Sequence, residues 1–301
     1  MISVVLATRN RPKLCIRLID LINSQTVLPK ELLIVDSSND ENILNSTTIK
    51  KSKVKIRYIK SCIQSAAIQR NIALDNISVD TKYVVVLDDD VIINKNYIEV
   101  LIKHLQNNSV VGVSGIAYNS KKTKINNKIK ILKNIFLLDS NKEGSITLGG
   151  VNVPITDHQK KELVQVEWLI GCSAWLFDAI KSTRYQKNFY GQSLFEDVIF
   201  SMQTAKKGKL VVDSSMIFDH EQSNLGRSND LEFYKMWVFN RYFVILNMNG
   251  NFIKHFGFHW ANFGKFIQLF FEFFTFKKNS LSKLKGFISG YQLLMRYIIK
   301  K

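Results

Sequence analysis

Hydrophobic positions in the first half of the chain follow two alternating patterns. ISVVLAT (2–8), ELLIVDSSND (31–40), VKIRYIK (54–60) and KYVVVLDDD (82–90) are short, β-branched runs, three of which close on polar residues. Between them the apolar positions fall three and four apart. RPKLCIRLIDLINSQ places Leu14, Leu18, Leu21 and Ile22 on one face, and SAAIQRNIALDN places Ala66, Ile68, Ile72 and Ala73 on another. NKNYIEVLIKHLQNN follows the fourth run with the same spacing. The first pattern predicts strands and the second helices. Their alternation predicts an α/β fold: a Rossmann-type, mainly parallel sheet flanked by helices.

The second half is less regular. After VVGVSGIAY (110–118), a lysine- and asparagine-rich stretch over 119–165 predicts an insertion of loops and short strands. VQVEWLIGCSAWLFDAI (164–180) predicts a strand turning at Gly171, and SLFEDVIFSMQTAKKGK (193–209) a helix stopped by Gly208. LVVDSSMIFDHEQS (210–223) predicts a strand pair. From Leu231 onward the pattern is helical and dense in Phe and Lys. The chain is thus expected to divide into an α/β domain over 1–225 and a helical, aromatic and basic extension over 226–301.

Composition changes this picture in two places. A formal charge of +17 over 301 residues favours anionic partners. Most of it is solvated lysine, but in the tail lysines stand beside phenylalanines, as an interfacial helix on an anionic leaflet requires. Arg241, in LEFYKMWVFNRYFVILNM, is expected to face back toward the site. Cys15, Cys62 and Cys172 show no paired spacing, so each is expected to be a small buried residue in a reducing cytoplasm. The apolar run at the N-terminus is too short for a signal peptide, and no uncharged run is long enough to span a bilayer.

In sheets of this kind ligands bind beyond the carboxyl ends of the strands. Those ends carry Thr8–Arg9–Asn10, Asp36–Ser37–Ser38 and Asp88–Asp89–Asp90, without a GxGxxG or Walker A pattern. Three adjacent carboxylates repel one another and call for positive charge. In extended backbone Asp88 and Asp90 share one side and Asp89 the other. Hard oxygen ligands suit Mg²⁺ or Mn²⁺, which commonly also bind a substrate phosphate. Glu196 and Asp197 open a helix, where carboxylates suit the dipole and could also serve as a general base. His220, at the end of IFDH, offers an imidazole ligand.

In order, VVLATRNRP, IVDSSND, AAIQRNIAL, VVVLDDDVI, EWLIGCSAWLF, LFEDVIF and IFDHEQS resemble a family 2 glycosyltransferase of the GT-A fold, of the inverting, bacterial surface-polysaccharide type. The resemblance spans roughly residues 1–223. It implies that Thr8, Asp36 and Arg70 hold the nucleotide of a nucleotide-sugar donor and that Asp89 approaches the ribose. Asp90 would ligate Mg²⁺ or Mn²⁺, with Asp88 taking part in DXD variants. Asp197 matches the catalytic base, and His220 a metal or phosphate contact. Arg9 replaces the usual aromatic and is expected on a phosphate. No QxxRW follows the base, which implies addition of one sugar rather than processive synthesis. The implied donor is a UDP- or dTDP-sugar. The implied acceptor is a saccharide, expected to be lipid-linked, with the enzyme cytoplasmic and peripheral on the inner face of the membrane.

Two other readings compete. A sugar nucleotidyltransferase would want a glycine-rich basic loop, and ATRNRPKL has no glycine. A non-catalytic basic binding protein for nucleic acid would not set acidic clusters at its ligand end, where they repel phosphate unless a cation intervenes. No nucleic-acid partner is expected.

Overall fold

The computed structural model describes residues 1–39, 51–118, 126–156, 163–221 and 228–300. β1 (Ile2–Thr8), β2 (Glu31–Asp36), β3 (Lys55–Lys60) and β4 (Tyr83–Asp88) run parallel in the order β3-β2-β1-β4. Successive side chains of these strands enter opposite layers. Val4, Leu6, Val85 and Leu87 pack under α1 (Pro12–Asn23) and α3 (Tyr97–Leu105). Val5, Val84 and Val86 pack under α2 (Ala66–Asp75) and α6 (Glu196–Thr204), the fifth helix of the series being α5 (Phe177–Ile180). The two-residue period and burial on both faces explain why β1, β2 and β4 are largely apolar, whereas β3, at the edge of the sheet, is half-buried and alternates polar with apolar side chains.

Beyond β4 the sheet becomes mixed. β5 (Val91–Ile92), β6 (Val110–Ala117), β7 (Leu163–Val166), β8 (Ser173–Leu176) and β9 (Lys209–His220) complete nine strands among the described residues. β8 lies antiparallel between β4 and β6, and β9 runs parallel to β6. β5 and β7 pair antiparallel with β9. The stretch expected as one strand turning at Gly171 is therefore two strands, β7 and β8, in different parts of the sheet. The expected strand pair over 210–223 is one long strand, β9, whose register against β6 shifts twice. Residues 222 and 223 lie outside the described residues.

Other expectations are corrected by burial. α1 buries Cys15, Leu18, Ile19 and Ile22, a face turned one residue from the one expected. α2 buries polar Gln69, Arg70 and Asn71 beside Ala67, Ala73 and Leu74. Gln69 donates to the carbonyls of Thr8 (2.8 Å) and Val35 (2.7 Å), so this helix is tied to the strand ends by its polar face. The insertion contains a helix, α4 (Asn127–Ile135), rather than only loops and short strands. Part of it, 119–125 and 157–162, lies outside the described residues. Cys15 and Cys172 are buried, but Cys62 is exposed.

The C-terminal helices are α7 (Asp230–Asn247), α8 (Phe252–Phe274) and α9 (Ser280–Ile299). Val238, Phe243 and Val244 of α7 join the same core as Val84 and Trp175, as do Phe258, Leu269, Phe287 and Leu294 from α8 and α9. α9 lies close along α7 because Gly286 and Gly290 have no side chain there. A Cβ on Gly286 would stand 2.2 Å from the Leu231 carbonyl oxygen. Arg241 does not face the site: it is fully buried, with its guanidinium 3.5 Å from the Trp237 ring centroid and bonded to Asn262. Burial pushes its pKa down to about 9. None of the described helices is long and apolar enough to cross a membrane.

Candidate active site

The carboxyl ends of β1 and β4 open into a cavity of about 380 Å³. Its wall includes every predicted site residue except Asp36. The parallel register sets this up, with Thr8 opposite Asp36 and Ala7 opposite Asp88. β5 then pairs with the end of β9, Val91 opposite His220, which carries the imidazole back to the acidic triplet. His220 Nε2 lies 2.9 Å from Asp90 Oδ1. Glu221 N donates to the Asp90 carbonyl at 2.9 Å and fixes that return.

The triplet is met by two arginines and an imidazole from three different segments. Asp88 accepts from Arg70 Nη2 at 2.6 Å. Asp89 accepts from Arg11 Nη1 (2.6 Å) and from the Thr8 hydroxyl (2.7 Å). Asp90 faces His220 and, at 3.3 Å, Arg11. Burial pushes the Asp89 carboxyl up, against the pull of Arg11 and Thr8. The strand ends at Asp88 and the chain turns through Asp89 and Asp90, so strict alternation gives way: Asp89 and Asp90 share Arg11, while Asp88 and Asp90 approach His220. One ligand atom from each of Asp88, Asp90 and His220 lies within 4.8 Å of the others, the only such group of three among the described residues. Two carboxylate oxygens and an imidazole nitrogen fit a small divalent cation with room for substrate oxygens.

Arg70 links this group to the base candidate. Its other nitrogen, Nη1, contacts Glu196 Oε1. Although burial opposes its charge, Glu196 and then Asp88 hold the guanidinium protonated well above its ordinary range. Burial pushes Glu196 up to about 8, with Arg70 pulling against that rise. Asp197 is pushed up to about 6, first by burial, with Arg70 and the Val198 N–H opposing. The Val198 N–H donates to Asp197 Oδ1 at 2.8 Å, so the carboxylate is anchored at the first turn of α6 and its other oxygen is uncommitted by that bond.

The segment before α6 is held in an unusual backbone path. Gly191, Ser193 and Phe195 all have positive φ, at 59°, 52° and 71°. For the two non-glycine residues this costs on the order of 1–3 kcal/mol each. The segment is stitched to the start of α2: Ala66 N donates to the Gly191 carbonyl at 2.9 Å, and Gly191 N to the Gln64 carbonyl at 2.8 Å. Ser193 Oγ accepts from Ala67 N at 3.2 Å. The start of α2, which carries Arg70, and the start of α6, which carries Asp197, therefore form one braced unit.

Asp36 sits apart. It is fully buried, and its carboxylate accepts from Ser38 N (2.8 Å), Tyr58 and Lys60 (3.4 Å) behind the cavity wall, to which Ser37 contributes. Arg9 reaches the wall with a buried Nε that has no hydrogen-bond partner among the described residues. Sequence reasoning missed Arg11 and Gly171. Arg11 precedes Pro12 at the start of α1, which turns it out of the helix, and only the fold shows that it reaches β4. Gly171 lies against the ion pair: a Cβ there would be 2.9 Å from Asp88 Oδ2 and 3.3 Å from Arg70 Nη2. Because Asp88 is fixed by Arg70 and Arg70 by Glu196, the carboxylate cannot retreat freely. Gly171→Ala is expected to weaken Mn²⁺ binding about tenfold, the lower end of an overpacking penalty of about 1–3 kcal/mol. Isothermal titration measures this, and wild-type affinity in the variant would show that the close contact is unimportant.

Comparison with known proteins agrees with this architecture. The family model for glycosyl transferase family 2 matches residues 3–159. An uncharacterized glycosyltransferase of Rickettsia felis (strain ATCC VR-1525 / URRWXCal2) is 30% identical over 134 residues, 44% of this chain. The match spans only 21% of that relative's length. Among solved structures, S. aureus TarS 1-349 in complex with UDP-GlcNAc superposes with a TM-score of 0.57 at 15% identity, covering 96% of this chain and 81% of that one. The mannosyltransferase PcManGT from Pyrobaculum calidifontis, in complex with GDP-Man and Mn²⁺, superposes with a TM-score of 0.56 at 12% identity, covering 98% and 86%. At such identities the likeness is one of fold, the GT-A fold. Since the family model covers more than half of the chain, the protein belongs to glycosyl transferase family 2.

Proposed function

We propose that this protein transfers one sugar from a nucleotide-diphosphate sugar, a UDP- or dTDP-sugar, to a hydroxyl of a saccharide acceptor, with inversion. The observation that carries the reading is the convergence of Asp88, Asp90, His220, Arg70 and Asp197 on one cavity. Asp88, Asp90 and His220 would hold Mg²⁺ or Mn²⁺. When bound, that ion supplies charge neutralisation for a diphosphate leaving group. Thr8 and Asp89 fix the pocket wall beside it, and the Arg9 guanidinium on that wall supplies positive charge for a phosphate. Asp197, with a pKa pushed near neutrality, takes the proton of the attacking hydroxyl. Arg70 positions Asp88 and the start of α6 together, so the two halves of the reaction are aligned by one guanidinium. Asp36, outside the cavity wall, shapes the nucleotide end through Ser38, from whose N–H and hydroxyl it accepts, rather than by direct reach.

The acceptor in this reading is lipid-linked, as in surface polysaccharide synthesis, and the enzyme works peripherally on the inner face of the cytoplasmic membrane. Exposed phenylalanines of α8 beside lysines support that placement. The test of donor class is a thermal-shift screen of nucleoside diphosphates with Mn²⁺. The expected result is a Mn²⁺-dependent rise for UDP or dTDP; a response to GDP alone would move the donor class, and no response to any would refute the reading.

A further inference from the structure

α4 turns its apolar side chains outward, and α8 is apolar on two faces, one packed on the core through Phe258 and Leu269 and one exposed. On α4, Ile129, Ile131, Leu132 and Ile135 are between 50% and 59% exposed, and the helix buries none of its residues. Its Lys130, Lys133 and Asn134 are the less exposed side chains. On α8, Phe252, Phe256, Phe263, Phe270 and Phe274 are exposed at spacings of four and seven, one stripe along the helix, whereas Asn262 is fully buried. A water-facing helix does the reverse, with its apolar stripe inward. Contiguous apolar surface of this kind marks a contact with something apolar.

The two faces are joined. Trp260 Nε1 donates to the Ile135 carbonyl at 2.7 Å, and Phe136 packs on Trp260 and Phe263 with ring centroids 5.2 and 6.2 Å apart. Gly264 permits the approach, since a Cβ there would lie 2.3 Å from the Phe136 ring. The insertion helix and the C-terminal helix therefore form one surface from segments far apart in sequence.

Charge selects what covers it. α4 carries Lys128, Lys130 and Lys133 and no acidic residue. Lys265 of α8 is pushed down to about 8 by burial and by Lys133 and Arg241, so the ground behind the apolar stripe is crowded with positive charge. Two copies meeting through this face would set the same lysines against each other. An anionic bilayer would instead take the apolar side chains at headgroup depth while exposed Lys128, with half-buried Lys130 and Lys133 extending from the flank of α4, reaches its phosphates.

We propose that α4 and α8 together form the surface that docks on an anionic lipid bilayer, with α4 as an inserting element. This deepens the membrane placement given above and rests on it. Removing the tail would not test it, because Phe258, Leu269, Phe287 and Leu294 belong to the main core. Point substitutions of exposed side chains avoid that problem. The full chain is mixed with vesicles of phosphatidylcholine alone or of equal parts phosphatidylcholine and phosphatidylglycerol, and flotation is measured with Ile131→Asp/Ile135→Asp and, separately, Phe256→Asp/Phe263→Asp. The expected result is flotation with the phosphatidylglycerol vesicles, weakened by salt, and a loss of at least about tenfold in affinity in each variant, since each replaces two large apolar side chains with carboxylates. Undiminished flotation of the α4 variant with loss in the α8 variant would overturn the role of α4 and leave the membrane placement standing. No flotation of the wild type would overturn both. A wild-type dimer by light scattering without vesicles, converted to monomer by the α4 changes, would assign the face to a second copy. The Mn²⁺-dependent nucleotide response is a separate readout in every case.

Discussion

Asp90→Ala is expected to lower turnover about a thousandfold, the upper range for removing one preorganised charge-stabilising group. Asp90 is buried at 2% exposure and faces both His220 (2.9 Å) and Arg11 (3.3 Å), so the change removes one member of the only candidate ligand group among the described residues. It also leaves the cavity one negative charge poorer, with Arg11 still paired to Asp89. The fold has little reason to fail, since Asp90 lies beyond the end of β4 and both its partners keep other contacts. Steady-state kinetics with a circular dichroism control separate the two effects. If the triplet were only a polar strand end, the variant would turn over like the wild type.

Asp197→Asn is expected to cost about 10²–10⁴ in turnover, the usual contribution of a positioned general base, while leaving nucleotide binding in place. The amide is isosteric, and its oxygen still accepts from the Val198 N–H. The pH profile gives a sharper test. A base works as the carboxylate, and the Asp197 pKa is pushed up to about 6. Activity is therefore expected to fall as pH drops through about 6 and to level off above it, and the asparagine variant is expected to lose that limb. Glu196, one residue away, is buried and bonded to Arg70, and burial pushes its pKa up to about 8, so a base at Glu196 would place the acid limb near 8 instead. A Glu196→Gln variant that removed the acid limb while Asp197→Asn retained it would exchange the two assignments.

What could be read from the chain and what could not divide along a physical line. β1, β2 and β4 were legible because strands buried on both faces must be apolar throughout, and the acidic triplet was legible because it ends such a strand. The face of α2 was not: Gln69, Arg70 and Asn71 are buried because they brace strand ends and the site, which inverts the periodicity that locates a buried face. α4 was missed for the same kind of reason, its apolar side chains pointing outward. The return of His220 to Asp90 depends on the pairing of β5 with β9, a contact between distant segments that no local pattern specifies. Arg11 and Gly171 follow that rule as well, since each matters through what stands opposite in space. Arg241 fits a different case. A long cationic side chain looked suited to a diphosphate, yet it stacks on Trp237 and Phe258 inside the helical layer.

The central claim is that Asp88, Asp90 and His220 grip a divalent ion which a nucleoside diphosphate shares. Electron paramagnetic resonance of Mn²⁺ titrated into the full chain with UDP or dTDP measures this directly. The account predicts a single tight site that the nucleotide strengthens and that Asp90→Ala abolishes. Equal Mn²⁺ affinity in the wild type and Asp90→Ala, with or without nucleotide, would contradict it.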